Sequence, residues 1–254
     1  MIGKNDTLSA EEQNVINKLK EMHLSGMADA FKKQVTDPNA DLDSFMDRIT
    51  RIVETEWTQR YDKKFNRLLK QAKLRYPHAD FDETLYEQDR KLDYESIQKL
   101  ATCEWVDEGR NLLITGMTSS GKTYLSNALC VSALRQLKTV KYIKASHLMM
   151  ELEQARIKDT YMDVLISLNT KTDLLAIDDF GLMELDIDKC RDLFEVIDGR
   201  DGRRSTIIIS QYPVKTWFDM FKDGTYADAC LSRLTDRSHT YRLEMNGRSM
   251  REPV

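Results

Sequence analysis

The chain has 254 residues, 41% hydrophobic and 31% charged, with a formal net charge of -4. This composition suits a globular protein and excludes a disordered or collagen-like chain. It also excludes a globally basic nucleic-acid coat, so any nucleic-acid contact must come from a local patch, and no apolar run reaches the roughly 20 residues a membrane-spanning helix needs.

The first residues, Met1 to Asp6, carry no apolar signal region. Cys103, Cys130, Cys190 and Cys230 lie far apart and form no ligand pairs, as expected of buried free thiols in a reducing cytoplasm. The length allows one large domain, or a domain with an appendage.

Ser9-Ala10-Glu11-Glu12 is a capping-box pattern ahead of Val15, Ile16, Leu19 and Met22, which recur at helical spacing. This predicts a helix that breaks near Gly26, then a second carrying Met27, Ala30 and Phe31, and a turn at Asp37-Pro38-Asn39. From Asp43 to about Arg75, the residues Phe45, Ile49, Ile52, Val53, Trp57, Tyr61, Phe65, Leu68 and Ala72 share one stripe, which is expected to be core. The other faces are basic, with Arg48, Arg51, Arg60, Lys63, Lys64, Arg67, Lys70, Lys73 and Arg75 opposed only by Glu54, Glu56 and Asp62. In an acidic chain, such a one-sided face is a DNA-backbone contact through residues such as Lys63, Lys64 and Arg67, a docking face, or a solvated surface.

Pro77 closes that helix, and an acidic connector runs from Asp80 to Glu95. The domain reading is a helical N-terminal domain over 1–78, a connector over 79–95 and a nucleotide-binding domain over 96–254. Ile97, Leu100, Ala101 and Trp105 predict one further helix, and Asp107-Glu108-Gly109 a turn. After it, strands at 111–115, 139–143, 173–178, 205–210 and 239–243 alternate with helical segments, including one from His147 to about Leu168. That alternation predicts an α/β fold with a parallel sheet covered on both faces.

Gly116-Met117-Thr118-Ser119-Ser120-Gly121-Lys122-Thr123 reads G-x-x-x-x-G-K-T, between an apolar strand and a helix opening at Tyr124. Glycines let the backbone aim several N–H groups at a phosphate, and the following helix turns its positive end toward the same anion. Lys122 supplies a charge for the outer phosphates and Thr123 a hydroxyl for magnesium, and the whole stretch from Gly116 to Tyr124 is assigned to the nucleotide. The loop calls for an apolar strand ending in a carboxylate, which Leu174-Leu175-Ala176-Ile177-Asp178-Asp179 provides. Asp178 is assigned to magnesium and Asp179 to polarising the attacking water. Ser210 and Gln211 end the next strand, where open α/β sheets build their sites, and either could sense the terminal phosphate. Arg233 is either an arginine finger for a neighbouring subunit or one half of an ion pair with Asp228 or Asp236.

Together the phosphate loop, Ile177-Asp178-Asp179-Phe180-Gly181, Ser210-Gln211-Tyr212-Pro213-Val214 with Trp217, Ala227-Asp228-Ala229 with Arg233-Leu234, and Gly247-Arg248-Ser249-Met250-Arg251 resemble the IstB-type transposition helper ATPases. These are AAA+ proteins of the clade that also holds the DnaC-type helicase loaders. Glu56 and Arg60 ahead of Arg67-Leu68-Leu69-Lys70 and Ala72-Lys73-Leu74-Arg75 extend the likeness over nearly the whole chain.

The resemblance implies an AAA+ P-loop core with a five-stranded parallel sheet, the sensor strand between the loop strand and the magnesium strand, behind a small all-helical N-terminal domain. It implies ATP with Mg2+, a homo-oligomer forming a ring or helical assembly on double-stranded DNA, arginines acting in trans, and recruitment of a cognate transposase for insertion-sequence transposition. It makes Gln211 the first sensor, Arg233 the finger and Arg251 a second nucleotide-sensing arginine, with no room after Leu243 for a helical lid. It places the 147–168 segment against DNA, with Arg156 and Lys158 as its basic residues. A helicase loader would share the ATPase half. A nucleotide-gated DNA scaffold with little turnover is the other alternative, because many relatives carry Glu where this chain has Asp179.

Overall fold

In the computed structural model, residues 8–83 and 92–246 are described. The chain divides into two compact units, Met1–Asn66 and Arg67–Val254.

The first unit begins with α1 (Ala10–Glu21). Ser9 accepts from the Glu12 N–H, and the Glu12 carboxylate accepts from the Ser9 N–H at 2.7 Å, so the capping box closes as expected. α1 stops at Met22, not at Gly26, which lies inside α2 (Ser25–Thr36). Gly26 is there for proximity: an added Cβ would stand 2.9 Å from the Glu56 Cα. That approach lets the buried Glu56 carboxylate accept from the Gly26 N–H at 2.7 Å and the Met27 N–H at 3.2 Å, satisfying donors that the start of a helix leaves free. Arg60 donates to Glu56 at 2.5 Å and to the His23 carbonyl at 3.0 Å.

α3 spans Phe45–Ala72. Of its predicted core stripe, Ile52, Leu68 and Ala72 are buried, whereas Phe45 is 75% exposed and Trp57 66% exposed. Trp57, Tyr61 and Phe65 stack along the helix instead, with successive ring centroids 5.6 and 6.3 Å apart. The division between the units falls inside α3, earlier than the boundary expected at 78. Lys73 then takes a left-handed φ of 53°, which ends the helix before Pro77 is reached. The acidic connector is only partly covered, since Glu87 and Asp89 lie outside the described residues.

In the second unit, the helix expected at 97–105 is two, α4 (Tyr94–Ala101) and α5 (Glu104–Asp107), separated by Cys103 at a φ of 59°. The sheet is five-stranded and parallel in the order β2-β3-β4-β1-β5. Its strands are β1 (Asn111–Gly116), β2 (Val140–Lys144), β3 (Leu174–Asp178), β4 (Ser205–Ser210) and β5 (Thr240–Met245). β4 lies between β1 and β3, as expected for the sensor strand. β3 and β4 are buried at every position, which is why they read as continuous apolar runs.

α6 (Lys122–Arg135) packs on one face of the sheet. α7 (Ala145–Ile157), α8 (Tyr161–Ile166), α9 (Ile187–Arg200) and α10 (Gly224–Thr235) supply the other. There Leu148, Leu152, Leu193 and Val196 meet Leu113, Leu175, Ile177 and Ile208 from the sheet. The segment expected to be one helix from 147 to 168 breaks at Asp159, whose φ is 56°, and finishes in a π-turn over Ser167–Lys171. Arg200, 1% exposed, fastens that turn to the sheet by donating to the carbonyls of Leu168, Thr172 and Ser205 and to the Thr206 hydroxyl. All four cysteines are free and buried. Burial pushes the Cys103 thiol up to about 11. No described helix is long and apolar enough to cross a membrane.

Candidate functional site

Four parallel strands end at one edge of the sheet: β1 in Gly116, β2 in Lys144, β3 in Asp178 and β4 in Ser210. The loop from β1 to α6 needs its glycines. Gly116 has a φ of 145°, and a Cβ there would stand 1.9 Å from the Met245 carbonyl oxygen. Gly121 has a φ of 91° and caps α6 with no side-chain bond of its own. Loop N–H groups and the α6 N-terminus thus converge on one place, which suits a phosphate.

Lys122 is nearly buried. Its ammonium donates to the Gly116 carbonyl at 2.8 Å and the Met117 carbonyl at 2.6 Å, folding over the loop. Burial lowers its pKa, against the opposing pull of Asp178 and Asp179. Thr123 donates its hydroxyl to Asp178 Oδ2 at 2.9 Å. Tyr142, on the neighbouring edge strand, donates to the same oxygen at 2.5 Å, and burial drives its phenol pKa upward. The other Asp178 oxygen accepts from the Asp179 N–H at 2.7 Å. Asp179 sits in the left-handed region, at a φ of 56°, and pairs with Lys144 at 2.6 Å.

Gln211 reaches into the cleft, its amide oxygen accepting from the Thr118 hydroxyl at 2.7 Å. Ser210 is fully buried and committed elsewhere: it donates to the Phe180 carbonyl at 2.6 Å and accepts from the Tyr212 N–H at 3.1 Å. Phe180 and Trp217 meet edge to face with centroids 4.9 Å apart, and the Trp217 indole donates to the Tyr212 carbonyl at 3.0 Å. The segments following β3 and β4 are thereby locked to each other. The resulting open cleft is lined by Thr118, Ser119, Lys122, Thr123, Asp178, Asp179 and Gln211, among others. Thr123 and Asp178 present a hydroxyl and a carboxylate to one point beside the phosphate loop. These hard oxygens fit Mg2+, which binds through one or two protein groups, the phosphates and water.

Other expected residues lie apart from the cleft. The Tyr124 ring lies beside that of Tyr76, and its hydroxyl accepts from the Asp80 N–H at 3.1 Å. Arg233 pairs in its own chain with Asp198 at 2.7 Å, rather than with Asp228 or Asp236, and lies over the Phe194 ring. Arg156 is committed to the buried Asp192 carboxylate and stacks on Tyr161, whose hydroxyl binds the same carboxylate. That pairing leaves Lys158, exposed at the end of α7, as the freer cation of that segment. Lys63, Lys64 and Arg67 are exposed on α3. Arg251 and the Gly247–Met250 signature lie outside the described residues. Tyr142 and Lys144 were not expected at the site. Their only sequence signal is polarity at the end of a strand, which acquires meaning once β2 is known to lie beside β3.

The family described as IstB-like ATP binding protein matches residues 17–253. A Sinorhizobium fredii relative named as an insertion sequence ATP-binding protein is 36% identical, covering 93% of this chain and 94% of its own. A Pseudomonas fluorescens relative, named for the insertion sequence IS1162, is 38% identical over 80% of this chain and 88% of its own. Among solved structures, the DnaC helicase loader superposes with a TM-score of 0.57 at 19% identity, covering 68% of this chain and 99% of the loader. The replication initiator DnaA bound to AMPPCP and single-stranded DNA gives 0.55 at 18% identity, covering 68% of this chain and 51% of the initiator. At these identities the two structures speak to the fold alone, the parallel α/β sheet with its phosphate loop.

Proposed function

This chain belongs to the family of IstB-like ATP-binding proteins, and from that premise we propose that it is an ATPase that assembles on double-stranded DNA and recruits a transposase for insertion-sequence transposition. The observation that carries the ATPase half is the joined set at one sheet edge: Thr123 and Tyr142 donating to one Asp178 oxygen, Asp179 beside them, and Gln211 across the loop.

The loop N–H groups and the α6 N-terminus bind the β- and γ-phosphates. Lys122 leaves the loop carbonyls to meet the outer oxygens. Thr123 and Asp178 would hold Mg2+, which would supply charge neutralisation at the phosphates. Asp179, turned from Lys144, orients the water and takes its proton as the oxygen adds to the γ-phosphorus and the bond to the bridging oxygen breaks, giving ADP and phosphate. Gln211 orients that water or senses the terminal phosphate. An aspartate reaches less far than a glutamate, so turnover is slow relative to binding.

Arg233 acts on a neighbouring subunit's nucleotide in a homo-oligomer, exchanging Asp198 for phosphate. Such a charge is worth roughly a thousandfold or more in rate. The helical N-terminal part, 1–78, serves DNA and transposase docking through Lys63, Lys64 and Arg67. The connector, 79–95, joins it to the ATPase part, 96–254, which adds Lys158. Nucleotide-free and ATP-analogue samples on duplex DNA, imaged for wild type and Lys122→Ala, test the reading. Wild type assembles only with the analogue and the variant does not. Equal assembly of the variant would overturn it.

A further inference from the structure

The segment after α3 runs along the phosphate-binding helix. The Tyr76 N–H donates to Asn127 Oδ1 at 3.0 Å, and the Tyr76 ring lies 5.7 Å from that of Tyr124. The Asp80 N–H donates to the Tyr124 hydroxyl, and the Asp80 carboxylate pairs with Arg135 at 2.9 Å. Ala79 is buried between these contacts in sequence, at 2% exposure. Tyr124, Asn127 and Arg135 all belong to α6, whose first turn carries Lys122 and Thr123. The segment is therefore fixed to the element that positions the phosphates.

Arg75 opens this segment. It lines the nucleotide cleft together with Thr118, Ser119, Lys122, Thr123, Asp178 and Asp179. Its guanidinium lies 5.4 Å from the Tyr76 ring centroid and has no ion pair among the described residues. Every other charge at this end of the cleft is engaged. Lys122 is spent on loop carbonyls, Lys144 on Asp179, and Asp178 on Thr123 and Tyr142. A triphosphate arriving there adds several negative charges, more than Lys122 and a divalent cation cancel. A guanidinium is suited to the surplus because its planar fork binds phosphate oxygens two at a time.

We propose that Arg75 is a second cation for the outer phosphates of the nucleoside triphosphate, supplied within the same chain by the segment that leaves α3. The proposal rests on the nucleotide-binding reading above and adds a discriminating role to it. Arg75 also lines an adjoining pocket with Tyr142 and Lys144, the partners of Asp178 and Asp179, so it stands toward the carboxylate end of the cleft, where the γ-phosphate of ATP would lie and ADP would place none. A nucleotide-dependent contact also forms just past the end of α3, the helix that carries Lys63, Lys64 and Arg67.

The test is calorimetric titration of the full chain with MgATP and with MgADP, for wild type, Arg75→Ala, Arg75→Lys and Lys122→Ala. The expected result for Arg75→Ala is an ATP affinity lowered about tenfold, the loss of one charged contact, with ADP affinity within about twofold of wild type. Arg75→Lys recovers part of the ATP affinity, because the charge remains and the fork is lost. Thermal melting of Arg75→Ala matches wild type, as befits an exposed side chain. Unchanged ATP binding, or an equal loss for ATP and ADP, would overturn the assignment. Absence of ATP binding by wild type would instead remove the nucleotide reading itself, and the Lys122→Ala arm registers that case separately.

Discussion

The Lys144 ammonium lies 2.6 Å from Asp179 Oδ2, so the carboxylate placed to activate water is tied to the end of the neighbouring strand. Both side chains are partly exposed, at 40% and 39%. Such a pair is worth up to ~1 kcal/mol, which corresponds to about a fivefold bias in side-chain position. Lys144→Ala frees Asp179, and single-turnover hydrolysis is expected to rise by up to about fivefold, with ATP affinity unchanged. A fall in rate would show that Lys144 serves the nucleotide directly. Asp179→Asn is expected to bind ATP normally and to lose hydrolysis.

Tyr142 makes a different prediction. Its hydroxyl and that of Thr123 share Asp178 Oδ2, so when Thr123 turns toward a cation Tyr142 still holds the carboxylate. Tyr142→Phe removes that hold and about 1 kcal/mol of hydrogen bonding. The Mg2+ concentration giving half-maximal hydrolysis should then rise several-fold, while the melting temperature changes little. A variant with unchanged Mg2+ dependence and a large loss of melting temperature would make Tyr142 a packing residue only.

Gly116→Ala is expected to be severe. Its Cβ would meet the Met245 carbonyl oxygen at 1.9 Å, at a φ of 145° that side chains rarely adopt. β1 pairs with β5 at this very register, Gly116 opposite Met245, so relief requires separating the two strands. Loss of both nucleotide binding and several degrees of melting temperature should appear together. Retention of either one would show that the strand ends can part.

Much of this was legible because a few residues carry unusual physical demands. β3 and β4 announce themselves since burial on both faces leaves no polar alternation, and Asp178 ends β3 as a carboxylate on an apolar run. Contacts across the sheet are a different matter. Tyr142 and Lys144 reach Asp178 and Asp179 only because β2 pairs with β3, Lys144 opposite Asp178, and strand order is not written in spacing. Gly26 reads locally as a helix break, but its role depends on Glu56, which is distant in sequence. The α3 stripe shows the limit of periodicity. It says which residues share a face, and Phe45 and Trp57 show that sharing a face is not the same as being covered.

Glu56 gives the first unit a pH signature. Its bond from Arg60 holds the carboxyl below its ordinary value of 4.5, aided by the Met27 and Gly26 N–H groups and opposed by burial. A depressed carboxyl contributes stability that is fully present above the unfolded value and is lost as pH falls through the folded one. Glu56→Gln should therefore cost about 1–3 kcal/mol at neutral pH. The gap between variant and wild type narrows below pH 4.5. Helical signal followed against temperature at several pH values measures it. A gap independent of pH would assign the effect to packing rather than charge.

The basic face of α3 leads to the last prediction. Lys63, Lys64 and Arg67 are exposed and have no ion pair among the described residues, so their charge is available to a polyanion. If they contact DNA phosphates, each releases counterions, and the slope of log affinity against log salt changes by about 0.9 per contact. Changing the three together to Ala should flatten that slope by about 2–3 and weaken binding to unrelated duplex sequences alike. Lys158→Ala alone should shift it by about 1 or less. Arg156→Ala should act mainly on stability, because its guanidinium neutralises the buried Asp192 carboxylate. An unchanged salt slope in the triple variant would make the α3 face a solvated surface and move DNA contact to the ATPase part.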